Sequence, residues 1–90
     1  MTRQEQTRRN DELFALFMRH VLAHPTLTKK IPKGAQVIFL PESDRDLSRA
    51  NLRLAQTVRK QGGKVALIKI TLVPQVVTVY TPRLEFAEAA

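Results

Sequence analysis

Cysteine does not occur in this 90-residue chain. That excludes disulfide bridges, thiolate nucleophiles and cysteine-based zinc sites. No apolar run approaches the roughly 20 residues of a membrane-spanning helix. The N-terminal stretch MTRQEQTRRNDE is polar and mixed in charge, without the hydrophobic segment of a signal peptide. A soluble cytoplasmic protein, with no role in a membrane, is therefore expected. Tryptophan is missing and tyrosine occurs once, which leaves few platforms for stacking unpaired RNA bases. Acidic residues are also scarce, and none lies between Gly62 and Arg83.

What is present fits one domain, because 90 residues leave no room for two. A chain of this size has a thin core and gains from a partner surface. No internal repeat or low-complexity segment occurs. The net charge is +7, and its distribution matters more than its total. Residues 45–69 hold seven basic side chains against Asp46 alone. A concentrated basic surface attracts nucleic acid or an acidic protein, or simply keeps the chain soluble.

The pattern predicts α-β-α-β. Leu13, Phe14, Phe17, Met18, Val21 and Leu22 recur at helical spacing and form a wide apolar stripe, with Leu16 at its margin. This first helix starts either at Asn10, as an N-cap, or earlier at Thr2, and Pro25 stops it. His24 to Ala35 reads as a loop. Gln36 to Leu40 reads as a buried strand that Pro41 ends. Residues 46–61 read as a second helix, with Ser43 or Asp44 as cap and Asp46 in its first turn. Its apolar arc is Leu47, Ala50, Leu54 and Val58, and a ridge of Arg45, Arg49, Arg53, Gln56 and Lys60 runs almost opposite. Gly62 or Gly63 supplies a left-handed stop. Lys64 to Val73 is the second strand candidate. Val76 to Thr81 (VVTVYT) reads as a third strand or a pairing arm, through Val76, Val77, Val79 and Tyr80. Residues 1–9 and 82–90 are expected to be loosely held. Strand, helix and strand in this order imply parallel strands, a right-handed crossover and at least one unpaired sheet edge.

Candidate chemistry is sparse. The turn PESDRD follows a parallel strand, where open α/β sheets bind ligands, so Glu42, Ser43 and Asp44 form the candidate loop site. A divalent-metal site would draw carboxylates from more than one strand end, and TLVPQVV supplies none. The same loop has no glycine and is negatively charged, unlike a phosphate-binding loop. His20 and His24 share the i, i+4 spacing of zinc ligands, but HVLAH lacks the glutamate of HExxH and no third ligand is evident. Ser43 and Ser48 have no histidine nearby in sequence and no G-x-S-x-G turn. No catalytic residue, cofactor or metal is therefore assigned.

The blocks IPKGAQVIFLPESDRDLSRANLRLA and GGKVALIKI carry a further signal. His24-Pro25, Ile31-Pro32, Gly34-Ala35, Phe39 to Glu42, Asp44 and Asn51 to Ala55 match an IPxGAxVxFLPExD strand-turn followed by an NLxLA helix. The chain thereby resembles, over about residues 12–70, a family of small bacterial proteins known as a domain of unknown function. The resemblance implies no activity, but it implies that Glu42, Asp44 and Asn51 belong to the module's plan. Together these features suggest a non-enzymatic, homodimeric interaction module. Its ridge of Arg45, Arg49, Arg53 and Lys60 would face a partner with an acidic surface, and its sheet edge would pair with another chain. The rival reading is a nucleic-acid-binding accessory protein. A third is a metal-dependent enzyme using residues 42–46.

Overall fold

The computed structural model describes residues 1–88. Helix α1 spans Arg3–Ala23 and begins where Thr2 Oγ1 accepts the Glu5 N–H at 3.1 Å. The earlier of the two expected starts is thus the one adopted, and Asn10 lies mid-helix. Proline at position 25 ends α1 but does not open a loop. Residues Pro25–Lys30 make about two turns of 3-10 helix, opened by the Leu27 N–H on the His24 carbonyl and closed by the Ile31 N–H on the Thr28 carbonyl. Pro25 favours this because its fixed φ suits a first helical position and its missing N–H would have had no partner there.

Strand β1 (Gln36–Pro41) pairs in parallel with β2 (Val65–Ile70), Gln36 opposite Val65 and Pro41 opposite Ile70. The Gln36 N–H donates to Lys64 O at 2.9 Å and the Glu42 N–H to Ile70 O at 3.0 Å. Backbone groups of even-numbered residues therefore face the neighbouring strand, and those of odd-numbered residues face outward. This corrects the expectation that Pro41 ends the pairing. Its absent N–H would have pointed away from β2, so the ladder loses nothing and runs on to Glu42.

Ile38 and Phe39 point to opposite faces of β1, yet they are 3% and 4% exposed. Both faces of β1 are closed. Phe39 meets the Phe17 ring edge-on at 5.3 Å and shares a core with Leu13 and Leu47, extended by Val37, Ile68 and Ile70. A two-stranded sheet is too narrow to cover the wide stripe of α1. Leu13 and Val21 are buried, whereas Phe14, Leu16, Met18 and Leu22 remain exposed.

Helix α2 (Arg45–Lys60) is capped by Asp44, which accepts the Leu47 N–H at 3.2 Å. Its buried line is Leu47, Asn51 and Ala55, not Leu47, Ala50, Leu54 and Val58. The expected arc was turned because a polar residue, Asn51, occupies the centre of the buried face, while Leu54 lies at its exposed edge. Gly62 takes the left-handed stop at φ 81°, and Gly63 lies so close to Val58 that a Cβ there would meet its side chain at 2.6 Å. Beyond Ile70, residues 71–88 run as an exposed arm without strand pairing. The second strand is thus shorter than the expected Lys64–Val73. Residues 76–81 form no third strand within the chain. The expectation of loose order at 82–90 extends to residues 89–90, outside those described.

Candidate functional site

The two edges of the sheet differ in kind. On the outer side of β1, the Phe39 and Pro41 carbonyls are taken by α2: Asn51 Nδ2 donates to the first at 2.8 Å and Ser48 Oγ to the second. Asn51 is 1% exposed and uses every donor and acceptor of its amide. Its other Nδ2 hydrogen bond goes to Asn10 Oδ1 at 2.8 Å. Its Oδ1 accepts from Gln6 Nε2 and Asn10 Nδ2, both at 3.0 Å. This one amide therefore ties α1, α2 and β1 together and occupies the middle of that edge, beside a small hollow lined by Gln36, Val37 and Phe14.

On the outer side of β2, Val65, Leu67 and Lys69 direct their backbone groups at no strand among the described residues. An open trough of about 770 Å³ runs along this edge, lined by Leu16, Phe17, Leu27, Ile31, Ile68 and Leu72 among others. Its lining is mainly apolar, with His20, Lys30 and Lys69 at the wall. Sequence patterning anticipated an open edge but not this trough. Leu27 and Ile31 sat in a segment read as loop, and their contribution needs the 3-10 helix to be seen.

The acidic turn is divided between two tasks. Glu42 reaches β2, where Lys69 Nζ lies 2.8 Å from Oε1 and Thr71 Oγ1 donates to Oε2 at 2.8 Å. The Lys69 and Thr71 hydrogen bonds hold the Glu42 carboxyl below its usual range, and Glu42 raises Lys69 in turn. Asp44 turns the other way. Besides capping α2, it takes Arg9 Nη1 on both oxygens, at 3.2 and 3.0 Å. Arg9 is also bonded to Glu5 at 3.1 Å, and Glu5 first, then Asp44, raises its already high pKa against the opposing effect of burial. Ser43 is exposed. Arg9, Asn10 and Gln6 were not singled out as partners of this region, and no local spacing could reveal contacts 35 to 45 residues apart.

The Glu42–Lys69 contact predicts a defined pH response. A carboxyl lowered by folding stabilises the fold above its ordinary range and loses that contribution as pH falls through its folded value. A raised lysine acts in mirror image, losing its contribution as pH climbs through its folded value. The stability difference between the parent and Glu42→Gln should therefore be largest near neutrality and vanish in strong acid. Urea midpoints from pH 2 to 8 measure it, and a difference constant across that range would contradict the assignment.

Arg45, Arg49, Arg53 and Lys60 are all exposed along α2. None makes an ion pair among the described residues, whereas Arg8, Arg9, Lys69 and Arg83 each do. Arg45 and Arg49 also border a small hollow with Ser48, Glu42 and Lys69. His20 and His24 stack at 4.5 Å, and the His24 ring nitrogen is 3.2 Å from the His20 carbonyl. Among the described residues, no group of three or more His, Asp or Glu side chains is placed to hold a metal ion. No helix there is long and apolar enough to cross a membrane.

A model of a family of unknown function, DUF5647, matches residues 5–79, and the chain belongs to that family. The match is wider than the 12–70 block of the sequence resemblance. It takes in most of α1 and the arm as far as Val79. No curated protein and no solved structure matches the chain.

Proposed function

We propose that this family member is a non-enzymatic interaction module that self-associates along β2 and presents the α2 ridge to an acidic macromolecule. The observation that carries the reading is the contrast between the two sheet edges. Two of the three outward carbonyls of the β1 edge, those of Phe39 and Pro41, are engaged by Asn51 and Ser48, whereas the β2 edge is open along its length beside an apolar trough. An unpaired edge flanked by apolar surface is the usual setting for strand addition by another chain. Phe14, Leu16, Met18 and Leu22 of α1 add exposed apolar area that a thin single core does not use.

Self-association is checked by light scattering at tens of micromolar, on the order of concentrations that reveal weak dimers. A mass of two chains is the expected result, and a single-chain mass there would end this part of the reading.

Arg45, Arg49, Arg53 and Lys60 support the second part, because they line one exposed side of a single helix and none makes an ion pair among the described residues. The same four charges favour a second reading, contact with a nucleic-acid backbone. Fluorescence anisotropy with duplex DNA, structured RNA and an acidic peptide separates the two. Backbone binding would weaken steeply with salt and drop at least tenfold in the Arg49→Glu, Arg53→Glu double variant. Binding to the peptide alone supports the acidic-protein partner.

A further inference from the structure

We propose that the open β2 edge is filled by residues 76–81 of a second copy of this chain. The proposal rests on the self-associating reading above and names the segment that does it. Val76 is 94% and Tyr80 90% exposed, with Val77 and Val79 also bare, so the arm carries a run of β-branched and aromatic side chains in water. Such a segment has high strand propensity and no intrachain ladder. The trough beside β2 offers what it lacks: apolar walls from Leu16, Phe17 and Ile31, and an unpaired row of backbone groups.

Folding back onto its own β2 is disfavoured by the connecting residues. Thr71, Leu72, Val73, Pro74 and Gln75 include no Gly, Asn or Asp, the residues that tight hairpin turns use for positive φ. Pro74 also pushes Val73 toward extended backbone. The chain accordingly leaves the body and keeps going. Its longest extent is 79 Å and its radius of gyration 20.7 Å, where a compact chain of this length would have about 12 Å. Charge points the same way. Residues 1–70 hold fourteen basic and six acidic side chains, while the segment after them holds Arg83 against Glu85 and Glu88. Two basic bodies repel, whereas residues 76–81 are uncharged and the rest of the arm is slightly acidic, so the arm can approach a basic neighbour without that cost.

A chain without cysteine makes the test direct. Lys69→Cys, on exposed β2, and Thr78→Cys, on the arm, are purified singly, mixed, co-refolded and treated with a short bismaleimide. A covalent heterodimer forming more readily in the mixture than in either variant alone is the expected result. The double variant on one chain separates the alternatives. An exclusively intrachain link would show the arm folded back on its own strand and overturn the proposal, as would no link in any sample. In parallel, Val77→Asp with Val79→Asp should convert the two-chain mass to one. Both residues are bare in the single chain, so its fold is not at stake. A dimer that survives these changes and yields no arm link would leave self-association standing and remove the arm from it. A single-chain mass for the parent would end both.

Discussion

Asn51→Leu should cost about 3 kcal/mol of stability, a large share of what a domain this small possesses. Leucine is similar in volume and apolar, so a packing view would call the change mild. The hydrogen bonds say otherwise. The Phe39 carbonyl, the Asn10 amide and the Gln6 amide all lose their partner, and the Asn51 position is 1% exposed, with little water to replace it. Asn51→Asp is the informative companion. It keeps acceptors for Gln6 and Asn10 but turns an oxygen toward the Phe39 carbonyl. A buried carboxyl favours its neutral form, so this variant should recover stability on acidification, opposite to the usual course. Urea denaturation of the three proteins at pH 4 and 7 measures both effects. A loss under 1 kcal/mol for Asn51→Leu would mean the amide network is incidental.

Asp44→Ala should be the next most damaging change, because two structures depend on one carboxylate. The cap on α2 contributes about 0.5–2 kcal/mol, and the bond to Arg9 fastens the first turns of α1 to the start of α2. Asp44→Asn separates the parts. Asparagine caps nearly as well, so it should retain most of the helix contribution and lose the ionic contact with Arg9. The expected order of stability is parent, Asp44→Asn, then Asp44→Ala. If the Ala and Asn variants were equal, the cap would be contributing nothing and Arg9 everything. Hydrogen exchange at the start of α2 provides an independent reading, since a lost cap frays that turn first.

The order of elements was legible because each carries a local signature. Pro25, Pro41 and the Gly62–Gly63 pair punctuate the chain, and apolar spacing separates helix from strand between them. The βαβ order then implies parallel strands, which is what β1 and β2 adopt. The face of α2 was harder. Hydropathy assigns Leu54 to the core and Asn51 to solvent, and the fold does the reverse because a buried amide with four hydrogen bonds to three residues outweighs its polarity. One signal was available: Asn51 shares i, i+4 spacing with Leu47 and Ala55, a polar residue in line with two buried ones. The division of the acidic turn was not legible. Glu42 and Asp44 are two residues apart, yet one serves the end of β2 and the other α1. The trough was hidden for the same reason, since α1, the 3-10 turn and β2 each supply part of its wall.

The partly engaged outer side of β1 also bears on stoichiometry. Fibrils grow by strand stacking only when every molecule offers two receptive edges, one to join and one to extend. Here the amide of Asn51 and the hydroxyl of Ser48 occupy two of the three outward carbonyls of the second, which handicaps it. Direct body-to-body strand pairing is therefore favoured once per molecule, and growth by that route is disfavoured beyond two. The side chains that hold α2 in place thus restrict direct body-to-body pairing to one edge, while exchange of the arm closes at two chains only when it is reciprocal.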